Sequence, residues 1–106
     1  MTKICRAEAI LAPEREVTPE ILASARLTGI LAAKKAWEII PLAGSIRPLK
    51  TEIAIEVSET GTRIIASVEA DGGGEASALL AATAAALCFN DMARGTLESV
   101  RPIDQI

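Results

Sequence analysis

Histidine and tyrosine are absent from this 106-residue chain, and it has one tryptophan and one phenylalanine. Without histidine there is no imidazole general base, no histidine-dependent triad and no imidazole metal ligand. Chemistry must come from Lys, Arg, Asp, Glu, Ser, Thr or the two cysteines. Cys5 and Cys88 stand far apart and outside any C-x-x-C spacing. They read as two reduced, half-buried thiols of a cytosolic protein rather than a disulfide or a metal site. No metal and no cofactor is expected. Eleven basic against fourteen acidic residues give a formal charge of −3, with no long basic run, which argues against nucleic acid or an anionic membrane as partner. Lys3 and Arg6 interrupt the opening segment where a secretory leader needs an apolar core. The longest apolar run, residues 76–89, is shorter than the roughly 20 residues of a membrane span. A cytoplasmic protein is expected.

What is present is aliphatic. Half of the residues are hydrophobic and 24% are charged, which excludes disordered and fibrous classes. At this length the chain reads as one domain, residues 1–106. Alanine-rich helices present broad, flat surfaces that pack on one another, so a homo-oligomer is expected.

Weak alternation over residues 3–11 predicts a strand ending at Ala12-Pro13. Thr18-Pro19-Glu20 starts a helix: the hydroxyl caps free backbone donors, proline suits the first turn and the acid faces the positive end of the dipole. That helix is expected to run to Ile40, where Pro41 stops it. Residues 42–49 read as a loop. Residues 51–57 alternate Ile53, Ile55 and Val57 against Glu52, Ala54 and Glu56, a half-buried strand. Thr60-Gly61 turns the chain into a partner strand over residues 63–70. Asp71-Gly72-Gly73-Gly74 breaks it, and a second helix follows from Glu75 to Arg94, ended by Gly95. Residues 96–103 make a last strand, set at the sheet edge by Pro102. The order β-α-β-β-α-β predicts an α+β, ferredoxin-like fold, an antiparallel sheet with two helices on one face.

Several residues break this pattern. On a helical projection Arg26 falls inside the apolar arc of Ile21, Leu22, Ala25, Gly29, Ile30, Ala33, Trp37 and Ile40. There it is either a structural ion pair, a snorkelling side chain or an anion ligand. Lys34 lies at the edge of that arc, solvated or holding a phosphate. The second helix is apolar almost all round, more than a two-layer monomer can bury. Its polar residues Thr83, Asn90, Asp91 and Arg94 share one sector. Asp91 and Arg94, three apart, make either a surface ion pair or a pocket wall with an acid and a phosphate-gripping cation. Glu75 sits where the glycine run enters the helix, a position that attracts anions but that its own carboxylate can fill.

The run from Ala25 to Lys35, A-R-L-T-G-I-L-A-A-K-K, followed by I-I-P-L ending at Leu42, resembles the cyclic pyranopterin monophosphate synthases (MoaC). That family carries A-R-x-x-G-I-x-A-A-K-[RK] and then I-P-L. Lys50-Thr-Glu-Ile resembles its K-V-E-V strand, Glu75 stands at its G-V-E segment, and Ala86-Leu87 with Asp91-Met92 resembles its A-A-L-T-x-Y-D-M-C-K helix. Arg6-Ala7-Glu8 is similar to its R-A-E opening. The resemblance implies the ferredoxin-like fold and a homo-oligomer, a dimer or a hexamer built as a trimer of dimers, with pockets between subunits. It implies molybdenum cofactor biosynthesis as the setting, a pterin or nucleotide phosphate as the small-molecule partner, and a lyase reaction. In that reaction a cyclic dihydroguanosine triphosphate becomes the cyclic pterin phosphate and pyrophosphate leaves. Carried over by position, Asp91 and Lys34 are the catalytic candidates. Leu42, at the start of a substrate-contacting loop, Glu75, Arg94 and Arg26 are the substrate-binding candidates.

The chain departs from the family pattern where its chemistry is concentrated. Thr18-Pro19-Glu20 replaces a lysine-glycine-aspartate entry, Leu42-Ala43-Gly44-Ser45-Ile46 replaces L-C-H-P-L, Ser77 replaces a second acid, and Arg94 replaces a lysine. Losing a general acid or base costs about 10²- to 10⁴-fold each, so an impaired active site is expected. Two readings stay open: a synthase with reduced turnover, or a non-enzymatic oligomeric binding or regulatory paralogue that recognises the phosphate-bearing ligand.

Overall fold

A computed structural model describes residues 2–40 and 48–103. The elements are β1 (Thr2–Ala12), α1 (Pro19–Lys34), α2 (Ala36–Ile39), β2 (Pro48–Ser58), β3 (Gly61–Asp71), α3 (Glu75–Ala93) and β4 (Thr96–Ile103). The four strands form one sheet in the order β2-β3-β1-β4, every pair antiparallel. β3 is inserted between β1 and β2, which the α1 crossover joins, and this is the split βαβ arrangement expected from the element order.

Period-two alternation aims Cys5, Ala7, Ala9 and Leu11 of β1 and Ile64, Ala66 and Val68 of β3 at the helices, where all are buried. α1 meets them through a narrow stripe, Ile21, Ala25, Gly29 and Ala33, and α3 through Ala78, Ala81, Ala82, Ala85, Ala86, Phe89 and Ala93. With so many alanines in the core, the layers sit close. A Cβ on Gly29 would lie 2.8 Å from Ile53 Cδ1 and 3.1 Å from the Ala81 carbonyl oxygen. By length and composition α3 could cross a membrane, but its eight buried residues pack inside this sandwich.

The structure corrects the sequence reading in four places. The first helix does not run unbroken to Ile40. The Lys35 N–H is shared between the Leu31 and Ala32 carbonyls (3.1 and 3.2 Å), and the chain restarts as the four-residue α2. That break buries Ala36 in place of Trp37, which is exposed. Second, Arg26 is exposed rather than embedded in an apolar arc, because the buried stripe follows the i, i+4 row alone and residue 26 lies one step off it. Third, α3 is closed by Arg94, which takes the left-handed conformation (φ 52°, ψ 49°), and not by a left-handed Gly95. Gly95 is needed for close approach: a Cβ there would lie 2.2 Å from the Ala12 oxygen. Fourth, Asp91 and Arg94 do not pair, since Arg94 has already left the helical path on which an i, i+3 contact depends.

The outer face of the sheet carries a feature that alternation alone does not announce. Glu8 on β1 is buried at 3% exposure between two arginines of the flanking strands, its carboxylate accepting from Arg63 Nε at 2.5 Å and Arg101 Nε at 2.6 Å. Hydrogen bonds from Arg63 and then Arg101 hold its carboxyl below the ordinary range, against the opposing cost of burial.

Candidate functional site

Asp91 lies near the C-terminal end of α3, with its side chain exposed. The segment after β1 docks there: the N–H groups of Glu14 and Arg15 both donate to the Ala93 carbonyl, at 3.2 and 2.9 Å. This ties down carbonyls that a helix end leaves open. It also builds a shallow concavity lined by Glu14, Asn90, Asp91, Arg94 and Gly95. An acid and a permanent cation therefore face one hollow without neutralising each other by contact. An adjoining groove between the helices is lined by Thr28, Ala84, Leu87, Cys88, Asn90 and Asp91. The Thr28 hydroxyl is spent on the Ser24 carbonyl at 2.8 Å. The Asn90 side-chain amide oxygen Oδ1 is buried with no hydrogen-bond partner among the described residues.

The other candidates lie elsewhere. Lys34 ends α1 and borders a cleft with Ile30, Pro48, Leu49, Lys50 and Thr51. Glu75 begins α3, its carboxylate folded back over Gly73: Oε2 is 2.8 Å from where a Cβ on that glycine would stand. No side chain caps the N-terminus of α3 by a hydrogen bond among the described residues. Arg26 sits midway along the outward side of α1, with no ion pair among the described residues. Leu42 lies outside the described residues.

The two helices run in opposite directions, since Lys34 borders the start of β2 while Ala93 abuts the end of β1, with Gly29 level with Ala81 between them. At 1.5 Å per residue, Lys34 and Asp91 are separated by roughly 20 Å along the helix axes. One protomer therefore brings Asp91 together with Arg94, and Lys34 to the same end as Glu75, but it does not join the two pairs. Sequence reading missed Glu14 as a neighbour of Asp91. Its only signal was position after Ala12-Pro13, which acquires meaning once the docking on Ala93 is known. The Glu8 clamp was missed for a similar reason: Arg63 and Arg101 are far away in sequence and become neighbours only through strand register.

The fold is an α+β sandwich whose helical layer carries Asp91 and Arg94 at one end and Lys34 at the other. The chain belongs to the MoaC family, whose profile matches residues 6–106, and with it to the proteins of molybdenum cofactor biosynthesis. Among solved structures, the chain is similar to the 3-hydroxy-3-methylglutaryl-coenzyme A reductase of Streptococcus pneumoniae, with 11% identity and a TM-score of 0.49. That match covers 96% of this chain and 30% of the other, so this chain spans under a third of that protein's length.

Proposed function

We infer that this chain binds the phosphate-bearing pterin precursor on which its family acts, and that its own turnover of that precursor is strongly reduced. In the family reaction, cyclic dihydroguanosine triphosphate is converted to cyclic pyranopterin monophosphate with release of pyrophosphate. The observation that carries the binding half is the shared hollow of Asp91 and Arg94, at the positions where the family pattern has its acid and its cation. A guanidinium suits phosphate oxygens through paired N–H donors, and it stays charged at every working pH. For that same reason Arg94 cannot return a proton as a lysine could. Asp91 is the one group in the hollow, apart from Glu14, able to accept a proton.

The reduced turnover follows from the residues at Thr18-Pro19-Glu20 and Leu42-Ala43-Gly44-Ser45-Ile46, where the family's lysine and histidine are replaced. Lys34, on the far end of α1, acts on a ligand held by Asp91 and Arg94 only if it comes from a second copy. A homo-oligomer, a dimer or a trimer of dimers, is therefore part of this reading. A non-enzymatic paralogue that binds the same ligand and regulates or co-assembles is the second reading, favoured by those two replaced segments.

The test is incubation of the purified protein with cyclic dihydroguanosine triphosphate, following pyrophosphate release and, in parallel, calorimetric binding. Release that is slow in the wild type and disappears in Asp91→Asn establishes a residual synthase. Micromolar binding with no release establishes the binding protein. Neither binding nor release refutes both.

A further inference from the structure

The open face of the sheet satisfies its charges unevenly. Towards the β2–β3 turn, Glu8 is held by Arg63 and Arg101, and Arg63 also reaches Glu56 at 3.7 Å. Towards the other end, strand register sets two rows side by side: Lys50, Glu69 and Ile4, then Glu52, Ser67 and Arg6. Lys50 and Glu52, on the edge strand, hold each other at 2.9 Å and stand mostly in water. Arg6, Ser67 and Glu69 are half-buried, and none of the three side chains has a hydrogen bond or ion pair among the described residues. Ser67 is the one short side chain in a ring of long ones. A cavity of about 110 Å³ therefore opens above it, walled by Ile4, Arg6, Lys50, Glu52 and Glu69.

We propose that this cavity binds a small zwitterion, an α-amino acid with a short aliphatic side chain, recognised by Arg6, Ser67 and Glu69. It lies on the sheet face turned away from the helices and does not depend on the function proposed above. Arg6 and Glu69 are diagonal neighbours on β1 and β3, a relation that puts their Cα atoms about 7–8 Å apart. Their charged ends do not meet, so the hollow between them has opposite charge on its two sides. A ligand carrying a carboxylate and an ammonium on one carbon atom closes that gap. The carboxylate takes paired N–H donors from the Arg6 guanidinium, and the ammonium donates to Glu69. The Ser67 hydroxyl, able to donate or accept, serves whichever group lies over it. Ile4, 44% exposed, offers the ligand's side chain an apolar wall. A simple anion entering the cavity meets Glu52 and Glu69, and a simple cation meets Arg6 and Lys50, so each is disfavoured by charges that the zwitterion satisfies. The space is that of a few water molecules, which fits an amino-acid head group and a short side chain.

Titration of the whole chain with L-valine, followed through its backbone amide resonances, tests this. Saturable shifts at millimolar ligand are expected, centred on Arg6, Ser67 and Glu69. Isovalerate and isobutylamine, which each lack one of valine's two charges, should bind at least about tenfold more weakly, since each forfeits a charge-assisted contact. Arg6→Gln and Glu69→Gln should weaken valine binding by a similar factor, while Glu59→Gln, on the neighbouring turn, leaves it unchanged. The proposal is overturned by shifts that do not saturate up to roughly 100 mM valine. It is equally overturned if isovalerate or isobutylamine binds as well as valine, or if Arg6→Gln and Glu69→Gln bind it as the wild type does. The ligand comparison uses only wild-type protein, so a variant that fails to fold leaves the decision intact.

Discussion

Replacing Glu8 with glutamine removes the charge from a carboxylate that holds three strands together, and the size of the loss can be worked from its surroundings. Two hydrogen bonds to a charged group, at about 1.5–3 kcal/mol each, set the ceiling. The arginine side chains are 41% and 68% exposed, so both guanidinium groups return to water when released. The cost of about 3–5 kcal/mol for stranding a buried charge therefore does not apply. Glutamine also keeps one acceptor for either arginine. We expect a loss of about 2 kcal/mol at pH 7, or a fall in Tm of about 10 °C for a domain of this length. The pH dependence follows from the depressed carboxyl. Its contribution is complete above the unfolded value of about 4.3 and is lost as pH falls through the lower folded value. Urea unfolding followed by circular dichroism, at one fixed protein concentration because any self-association would add to stability, should show the gap between wild type and Glu8→Gln narrowing as pH falls below the unfolded carboxyl value. No gap at pH 7, or a gap that widens as the solution is acidified, would refute the reasoning.

Arg94→Gly should stabilise the fold by up to about 1 kcal/mol, because glycine takes the left-handed conformation without a Cβ penalty, while calorimetry with pyrophosphate shows weaker binding. Stability and binding moving in opposite directions is the signature expected of a residue kept for its charge. Gly95→Ala drives a methyl group into the Ala12 and Pro13 backbone and should cost about 3 kcal/mol, measured by thermal melting, since backbone cannot yield as a side chain does.

The element order was readable from local chemistry. Thr18 caps α1 as its sequence context predicts, its hydroxyl accepting from the Ile21 N–H at 3.4 Å. The Thr60-Gly61 turn forms with Gly61 at φ 147°. Asp91 and Arg94 were picked out because polar residues on an otherwise apolar helix are conspicuous. Arg26 was misread because a helical projection shows which residues share a side but not how wide a stripe the neighbouring layer covers. Here the layer is reached through alanine and glycine, and the stripe is one row wide. The departure of Arg94 from the helix lies between two contacts with distant chain, the Glu14 and Arg15 N–H groups on the Ala93 carbonyl and the close approach of Gly95 to Ala12, and no local pattern encodes them.

Sequence by itself determined the alternations, caps and breakers that make β-α-β-β-α-β, since those depend on residues within one turn or one pleat of each other. It also carried the motifs that mark the family. Only tertiary structure decided which strand lies beside which, and hence that Glu8 is clamped by Arg63 and Arg101. It alone showed that antiparallel helices hold Lys34 and Asp91 at opposite ends of the layer. Register and helix direction are properties of pairs of elements, and residues far apart along the chain become neighbours only when the sheet and its helical layer close on a common core.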